Sequence, residues 1–292
     1  MPFVGIVDLG LVGVDLFFVL SGFIIMHVTA RRGISCLAFA RARFRRIYLP
    51  YWPLGLAAAV MTYGIPYMGS GVFRGWFASI TLLPFGYPAL NVAWTLQHEI
   101  VFYGFVALGI ITGWLRLGLL LWAAAIVGFL VLDIDAPIGL QPLDAEFLMG
   151  IAAWAAWRSR SRKTMITISI ILLAIGGIVL GYDAHWKLDR AGPIAFAVLF
   201  AAGLPWLVLA DQNGKIRTPR SLSFLGEASY SIYLFHALPI LVLVAFPIGG
   251  GWQVFLPVAT LGGLAGGIIY YWLVERPSLS LMPKTLAWRA TP

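Results

Sequence analysis

Apolar residues recur in runs long enough to cross a bilayer, and that pattern restricts this chain to very few architectures. With about 20 apolar residues as the spanning length, candidate helices fall near 9–28, 47–66, 92–112, 115–132, 145–157, 165–182, 191–210, 228–248 and 253–274. Lipid offers no partner for a backbone N–H or C=O, so a span must be a helix or part of a closed barrel, and runs of this length are helices. Composition agrees: 61% of the 292 residues are hydrophobic, 11% are charged and mean hydropathy is +0.90, outside the range of a soluble domain. The expected fold is all-α, a polytopic membrane bundle of about nine transmembrane helices, forming a single domain over 1–292. Residues 145–157 are too short to cross unaided, and Trp76 to Pro84 reads as an interfacial or re-entrant segment.

The net charge of +8 would suit nucleic acid only if it formed a patch. Instead the cations sit in short loops between apolar runs: Arg31, Arg32, Arg41, Arg43, Arg45 and Arg46; then Arg158, Arg160, Arg162 and Lys163; then Lys215, Arg217 and Arg220. That is a topology signal that puts these loops in the cytoplasm. The intervening loops, with Asp133, Asp135, Asp144 and Glu146, then Asp183–Arg190, then Gly249–Gly251, belong outside. The tail with Lys284 and Arg289 comes inside and residues 1–8 come outside, with no cleavable leader. The expected partners are the bilayer and small molecules, not nucleic acid. The single cysteine, Cys36, excludes an intramolecular disulfide framework.

Within these spans the ionisable residues carry the information, because each costs at least a few kcal/mol in lipid. Glu99 adjoins His98 in Trp94-Thr95-Leu96-Gln97-His98-Glu99, and Asp15 lies in the first run. At 1.5 Å per residue both carboxylates sit roughly 10 Å below the outer surface. A buried carboxylate can take or hold a proton; equally, each can accept hydrogen bonds from a neighbouring helix and only fix packing. His98 and Glu99 point about 100° apart, whereas Tyr103 shares a face with Glu99 and Trp94 shares one with His98. Trp94 and Tyr103 suit stacking on a sugar ring, or belong to an interfacial belt. His236 falls in the cytoplasmic half of its span. His27 reads as interfacial, and His185 as a solvated loop residue. No histidine has metal-ligand spacing to a second histidine with a carboxylate or thiolate partner, so no metal is expected. The Arg41–Arg46 cluster either anchors to anionic lipid or uses guanidinium forks to hold phosphates.

Five ordered blocks, Gly13–Phe23, Arg41–Tyr51, Trp94–Tyr103, Ser229–His236 and Glu275-Arg276-Pro277, resemble the membrane acyltransferase 3 family over nearly the whole chain. The Thr-Leu start of the Glu99 block looks like the exopolysaccharide-modifying branch. The resemblance implies transfer of an acyl group, acetyl above all, from cytoplasmic acyl-CoA (acetyl-CoA) to a carbohydrate hydroxyl of an exopolysaccharide, O-antigen or similar glycan, in a bacterial inner membrane. Acyl-CoA is then a co-substrate, and no bound cofactor is expected. The candidate catalytic set is Glu99, Asp15 and His98, of which His98 does not correspond to the histidine that the family uses in transfer. Tyr103, Trp94, Ser231, Tyr233 and His236 are the expected substrate-binding residues, while Arg43, Arg45, Arg46 and Arg276 receive acyl-CoA, Arg276 alternatively pairing with Glu275. Members of the family usually begin with a further span bearing an arginine and a histidine used in transfer. This chain starts just before the Gly-Val-Asp block, which leads us to expect a missing upstream segment. Two other classes fit the bare composition: an inactive or partner-dependent member of the family, and a secondary transporter, whose paired halves the sequence does not show.

Overall fold

A computed structural model of the chain describes residues 4–30, 34–64, 70–132, 134–186, 191–245 and 251–280, excepting the side chains of 4–11, 70, 179–186, 191–193 and 245. All its regular structure among these residues is helical: α1 Val4–Thr29, α2 Cys36–Tyr63, α3 Ser70–Thr81, α4 Trp94–Thr112, α5 Leu115–Val131, α6 Ala145–Arg158, α7 Arg162–Trp186, α8 Ala191–Gln212, α9 Arg220–Phe235, α10 Ala237–Ala245, α11 Gly251–Tyr270 and α12 Arg276–Ser280. Five described segments are long and apolar enough to cross a membrane, Val12–Thr29, Asn91–Thr112, Ile194–Gln212, Arg220–Val244 and Gly251–Ser280, with Leu115–Val131 a shorter apolar helix. Large apolar side chains such as Leu120, Leu121, Val131 and Leu273 stand exposed on these helices, as lipid-facing surface does. The protein is a helical membrane protein.

In its described residues every apolar run of the sequence is helical, with four differences of detail. The run 228–248 is broken at His236. Pro239 has no N–H and its ring clashes with the carbonyl of residue 235, so α9 stops at Phe235. The Trp76–Pro84 segment is the end of the 12-residue helix α3 plus the loop that follows it. Asp144 and Glu146, expected in an outer loop, are fully buried. Asp144 Oδ2 accepts the amides of Gly139 (3.1 Å) and Gln141 (2.9 Å) and thereby caps the turn that opens α6. His185 belongs by its backbone to α7 rather than to a loop. Arg31, Arg32, Asp133, Asp189, Arg190, Lys284 and Arg289 lie outside the described residues, as do the side chains of Asp183 and His185.

Two units divide the chain: Met1–Cys36, Val101–Arg217 and Trp288–Pro292 form one, Leu37–Ile100 and Thr218–Ala287 the other. In the first, α1 and α6 approach so closely that a Cβ on Gly22 would lie 2.1 Å from the Phe147 carbonyl oxygen, and one on Gly150 2.0 Å from that of Val19. Small residues at helix crossings allow such contact where apolar burial gives no drive to associate. Rings of Phe18, Phe147, Phe102 and Trp122 stack in sequence beside this crossing. The α7–α8 pair is tied by Ser169, whose hydroxyl donates to the Ala202 carbonyl (2.9 Å) and accepts the Trp206 indole (3.2 Å).

The second unit is organised by α2. The last carbonyls of a helix lack an intrahelical partner, and α2 supplies partners for those of α3. Tyr51 donates to Ser79 O (2.9 Å), Trp52 Nε1 to Ile80 O (3.0 Å) and Tyr48 to Thr81 O. The Leu82 amide takes the fourth, Ala78 O (2.8 Å). Tyr48, Tyr51 and Trp52 share one face of α2 because they stand three and four residues apart.

Candidate active site

Three segments of the second unit bring polar side chains together: the first turns of α4, the Tyr230–His236 stretch of α9, and a π-helical turn, Tyr271–Glu275, that follows α11. Single π turns inside helices recur at functional sites. Here the turn ends on Glu275, a fully buried carboxylate.

Glu275 sits at the centre of one cluster. Its Oε1 accepts from Arg46 Nη1 of α2, and its Oε2 accepts both the amide (3.1 Å) and the hydroxyl (2.6 Å) of Ser231. Charge-assisted bonds of this kind are what a buried carboxylate requires. The Arg46 guanidinium also lies over the Tyr230 ring, 5.3 Å from its centroid, and Tyr230 donates to Ile47 O (3.0 Å). Glu275 therefore pairs with Arg46, not with its neighbour Arg276. Arg276 is exposed and stacks over Trp272 at 4.1 Å. Arg43 and Arg45 are half-buried on the same helix as Arg46, and Arg43 and Arg46 are one turn apart on a common face.

The second cluster is built around the start of α4. Tyr233 donates to the Val92 carbonyl (2.6 Å) and shares a hydrogen bond with the Thr95 hydroxyl (2.7 Å). Glu99, one turn beyond Thr95 on the same face, is buried and within electrostatic reach of Tyr233. His98 is buried on the adjoining face, its ring edge-on to Trp94 at 5.6 Å, as their four-residue spacing requires. Gln97 Nε2 donates to the carbonyls of Leu83 (2.9 Å) and Gly86 (3.0 Å), so it folds the preceding loop against the helix. His236 caps α9, its Nδ1 2.5 Å from the Tyr233 carbonyl. A Cβ at Gly263 of α11 would lie 3.1 Å from His236 Cα.

Among the residues singled out from sequence, Trp94, His98, Glu99, Ser231, Tyr233, His236, Arg43, Arg45, Arg46 and Arg276 thus belong to one unit. Asp15 and Tyr103 belong to the other, both buried. Asp15 shares a face of α1 with Phe18, Val19 and Gly22, the face packed on α6. Two residues were not anticipated in these roles. Glu275 had a signal, a carboxylate at the end of an apolar run before a proline, but its partner lies 229 residues away. Gln97 had none beyond being polar in an apolar helix.

Chemically, Glu99 offers a buried carboxylate with the Thr95 hydroxyl one helical turn away. The α2 arginine face offers guanidinium groups to an anion, and Arg46 is oriented by a buried counter-charge.

A family model described as an acyltransferase domain matches residues 2–272. The chain is similar to the exopolysaccharide production protein ExoZ of Rhizobium meliloti (strain 1021), 30% identical over 93% of this chain and 90% of that protein. It is 27% identical to nodulation protein 10 of Rhizobium leguminosarum bv. viciae, over 95% of this chain and 84% of that one. It is also 27% identical to acyltransferase MdmB of Streptomyces mycarofaciens, over 80% and 69%. No solved structure gives a significant match.

Proposed function

This chain belongs to that family of acyltransferases, and from that premise we propose that it moves an acyl group, acetyl in the first instance, from acyl-CoA to a carbohydrate hydroxyl of an exopolysaccharide or similar glycan. The observation that carries the acceptor class is the similarity, over nine-tenths of both chains, to a protein named for exopolysaccharide production. The enzyme sits in the bacterial inner membrane with its C-terminus and basic loops in the cytoplasm, where acyl-CoA is found.

In the proposed step the acceptor hydroxyl oxygen attacks the thioester carbonyl carbon. The new C–O ester bond forms, the C–S bond breaks, and coenzyme A leaves as its thiol. Glu99 receives the hydroxyl proton and returns one to the departing sulfur, so the carboxylate ends as it began. His98 is the other ionisable group of this unit assigned to this chemistry. Trp94, Tyr233, Ser231 and His236 are the substrate-binding residues of this reading. Arg43, Arg45, Arg46 and Arg276 receive the phosphates of the donor: Arg46 commits one nitrogen to Glu275 and keeps further N–H groups for a ligand.

The test is Glu99→Gln expressed beside the unaltered protein, with surface glycan acylation read by mass spectrometry and membrane insertion by fractionation. Loss of acylation with normal insertion is expected. Undiminished acylation would remove Glu99 from the mechanism.

A further inference from the structure

Away from the groups assigned to acyl transfer, the junction of α6 and α7 gathers Arg158, Arg160, Arg162 and Lys163 within six residues, all exposed. Among the described residues none of the four has a carboxylate partner. Helix α6 closes with the Ser159 amide on Ala155 O (3.1 Å) and the Arg160 amide on Trp157 O (3.2 Å). Arg160 then takes a left-handed backbone, φ 53°, at the position after the C-cap where glycine is usual because it has no Cβ to clash. A further mismatch follows at once. Helix α7 opens on Arg162 and Lys163 with no acidic residue in its first turn, although the positive end of a helix favours anions and disfavours cations.

Beside this loop is a cavity of about 350 Å³ lined by Trp157, Arg158 and Arg160. Its indole wall is fixed: Trp157 Nε1 donates to Gln212 Oε1 (3.2 Å), and the ring packs against Phe23 and His27 at 5.8 and 5.3 Å. A cationic helix start and a guanidinium-lined cavity share one electrostatic defect, an excess of positive charge that a bound anion offsets. Guanidinium forks match phosphate oxygens in particular. At 14 residues, α6 is about 21 Å long, shorter than the roughly 30 Å hydrocarbon core. Its arginine end and the adjoining indole are therefore drawn to headgroup depth, where tryptophan is favoured. The cavity volume is ample for the phosphate of a headgroup.

We infer that the α6–α7 junction is a binding site for the phosphate of an anionic membrane phospholipid, held by Arg158 and Arg160 against the Trp157 wall. The chemistry is that of any phosphate ester, so the experiment separates a lipid source from the nucleotide phosphates of the acyl donor. The full chain in neutral detergent is titrated with phosphatidylglycerol, with phosphatidylcholine and, separately, with adenosine 3′,5′-bisphosphate, and bound molecules are counted by native mass spectrometry. The double variant R158Q/R160Q should retain phosphatidylglycerol at least about fivefold more weakly, on the order of 1 kcal/mol, with phosphatidylcholine unaffected. K215Q/R217Q, equal in charge change but away from the cavity lining, should behave as wild type. Arg160→Gly should unfold at a higher temperature than wild type while losing lipid. Equal losses in both double variants, or none in R158Q/R160Q, overturn the site. Dependence of the bisphosphate alone on Arg158 and Arg160 overturns its assignment to lipid. No acyl transfer is read, so this result and the Glu99 result stand apart.

Discussion

Arg46 and Glu275, 229 residues apart in sequence, form a charged pair in which one oxygen of the carboxylate serves the guanidinium and the other serves the Ser231 amide and hydroxyl. A single π turn delivers Glu275 to this position. The pair joins α2, α9 and the end of the last long helix at one point, and leaves the arginine partly exposed, 34% by side chain, to whatever it binds.

Removing the buried member of this pair should therefore cost more than removing its exposed neighbour. Glu275→Ala strands the Ser231 donors and an arginine that water reaches only in part, so a loss of about 3 kcal/mol is expected. Arg276→Ala removes an exposed stacking contact worth no more than about 1 kcal/mol. Thermal unfolding in detergent compares them, and a greater loss for Arg276→Ala would contradict the arrangement.

If Arg46 receives the donor phosphates, replacing its planar fork with an ammonium should weaken donor binding and spare chemistry. For Arg46→Lys the KM for acyl-CoA should rise about tenfold, ~1.4 kcal/mol, with kcat nearly constant. A fall in kcat at unchanged KM would place Arg46 elsewhere in the cycle.

Helix α11 meets α9 through glycines. A Cβ on Gly267 would come 2.5 Å from Ile232 Cα, and one on Gly22 in the other unit would come 2.1 Å from Phe147 O. Both contacts are with backbone, which cannot rotate away, so Gly267→Ala and Gly22→Ala should each destabilise by about 1–3 kcal/mol. Gly104 faces open space, and Gly104→Ala should be neutral or stabilising by up to about 1 kcal/mol. Chemical unfolding of the three variants side by side decides the point.

Tyr51 is buried and supplies the donor for Ser79 O. Tyr51→Phe leaves that carbonyl unsatisfied at a cost of about 1–3 kcal/mol, and limited proteolysis should then cut faster in the loop 82–90. The exposed Tyr87 serves as the control, since Tyr87→Phe should stay within about 0.5 kcal/mol of wild type.

Much of this was legible because a membrane reduces structure to helix length and polarity. In its described residues each apolar run is helical, and Glu99, His98 and Asp15 stand out in sequence as costly residues in cheap surroundings. The break at His236 was also written in the chain, in Pro239, but hydropathy windows average over a proline. Partnerships were harder to see. Sequence neighbours suggested Arg276 for Glu275, whereas helical rotation separates adjacent side chains and the π turn alters that rotation again. Asp144 and Glu146 looked like loop charges because polarity alone does not distinguish a solvated carboxylate from one capping a buried turn. Nor does any local signal group 37–100 with 218–287.

The caps on α3 have a mechanical meaning. Separating α2 from α3 would strip hydrogen-bond donors from Ser79, Ile80 and Thr81 together, in a setting where each bare carbonyl costs several kcal/mol. The two helices must then travel as one part through any cycle of donor arrival and product release. Whatever opens in this enzyme hinges around that pair, and the loop 82–90 that Gln97 clasps is the described connection leading away from it.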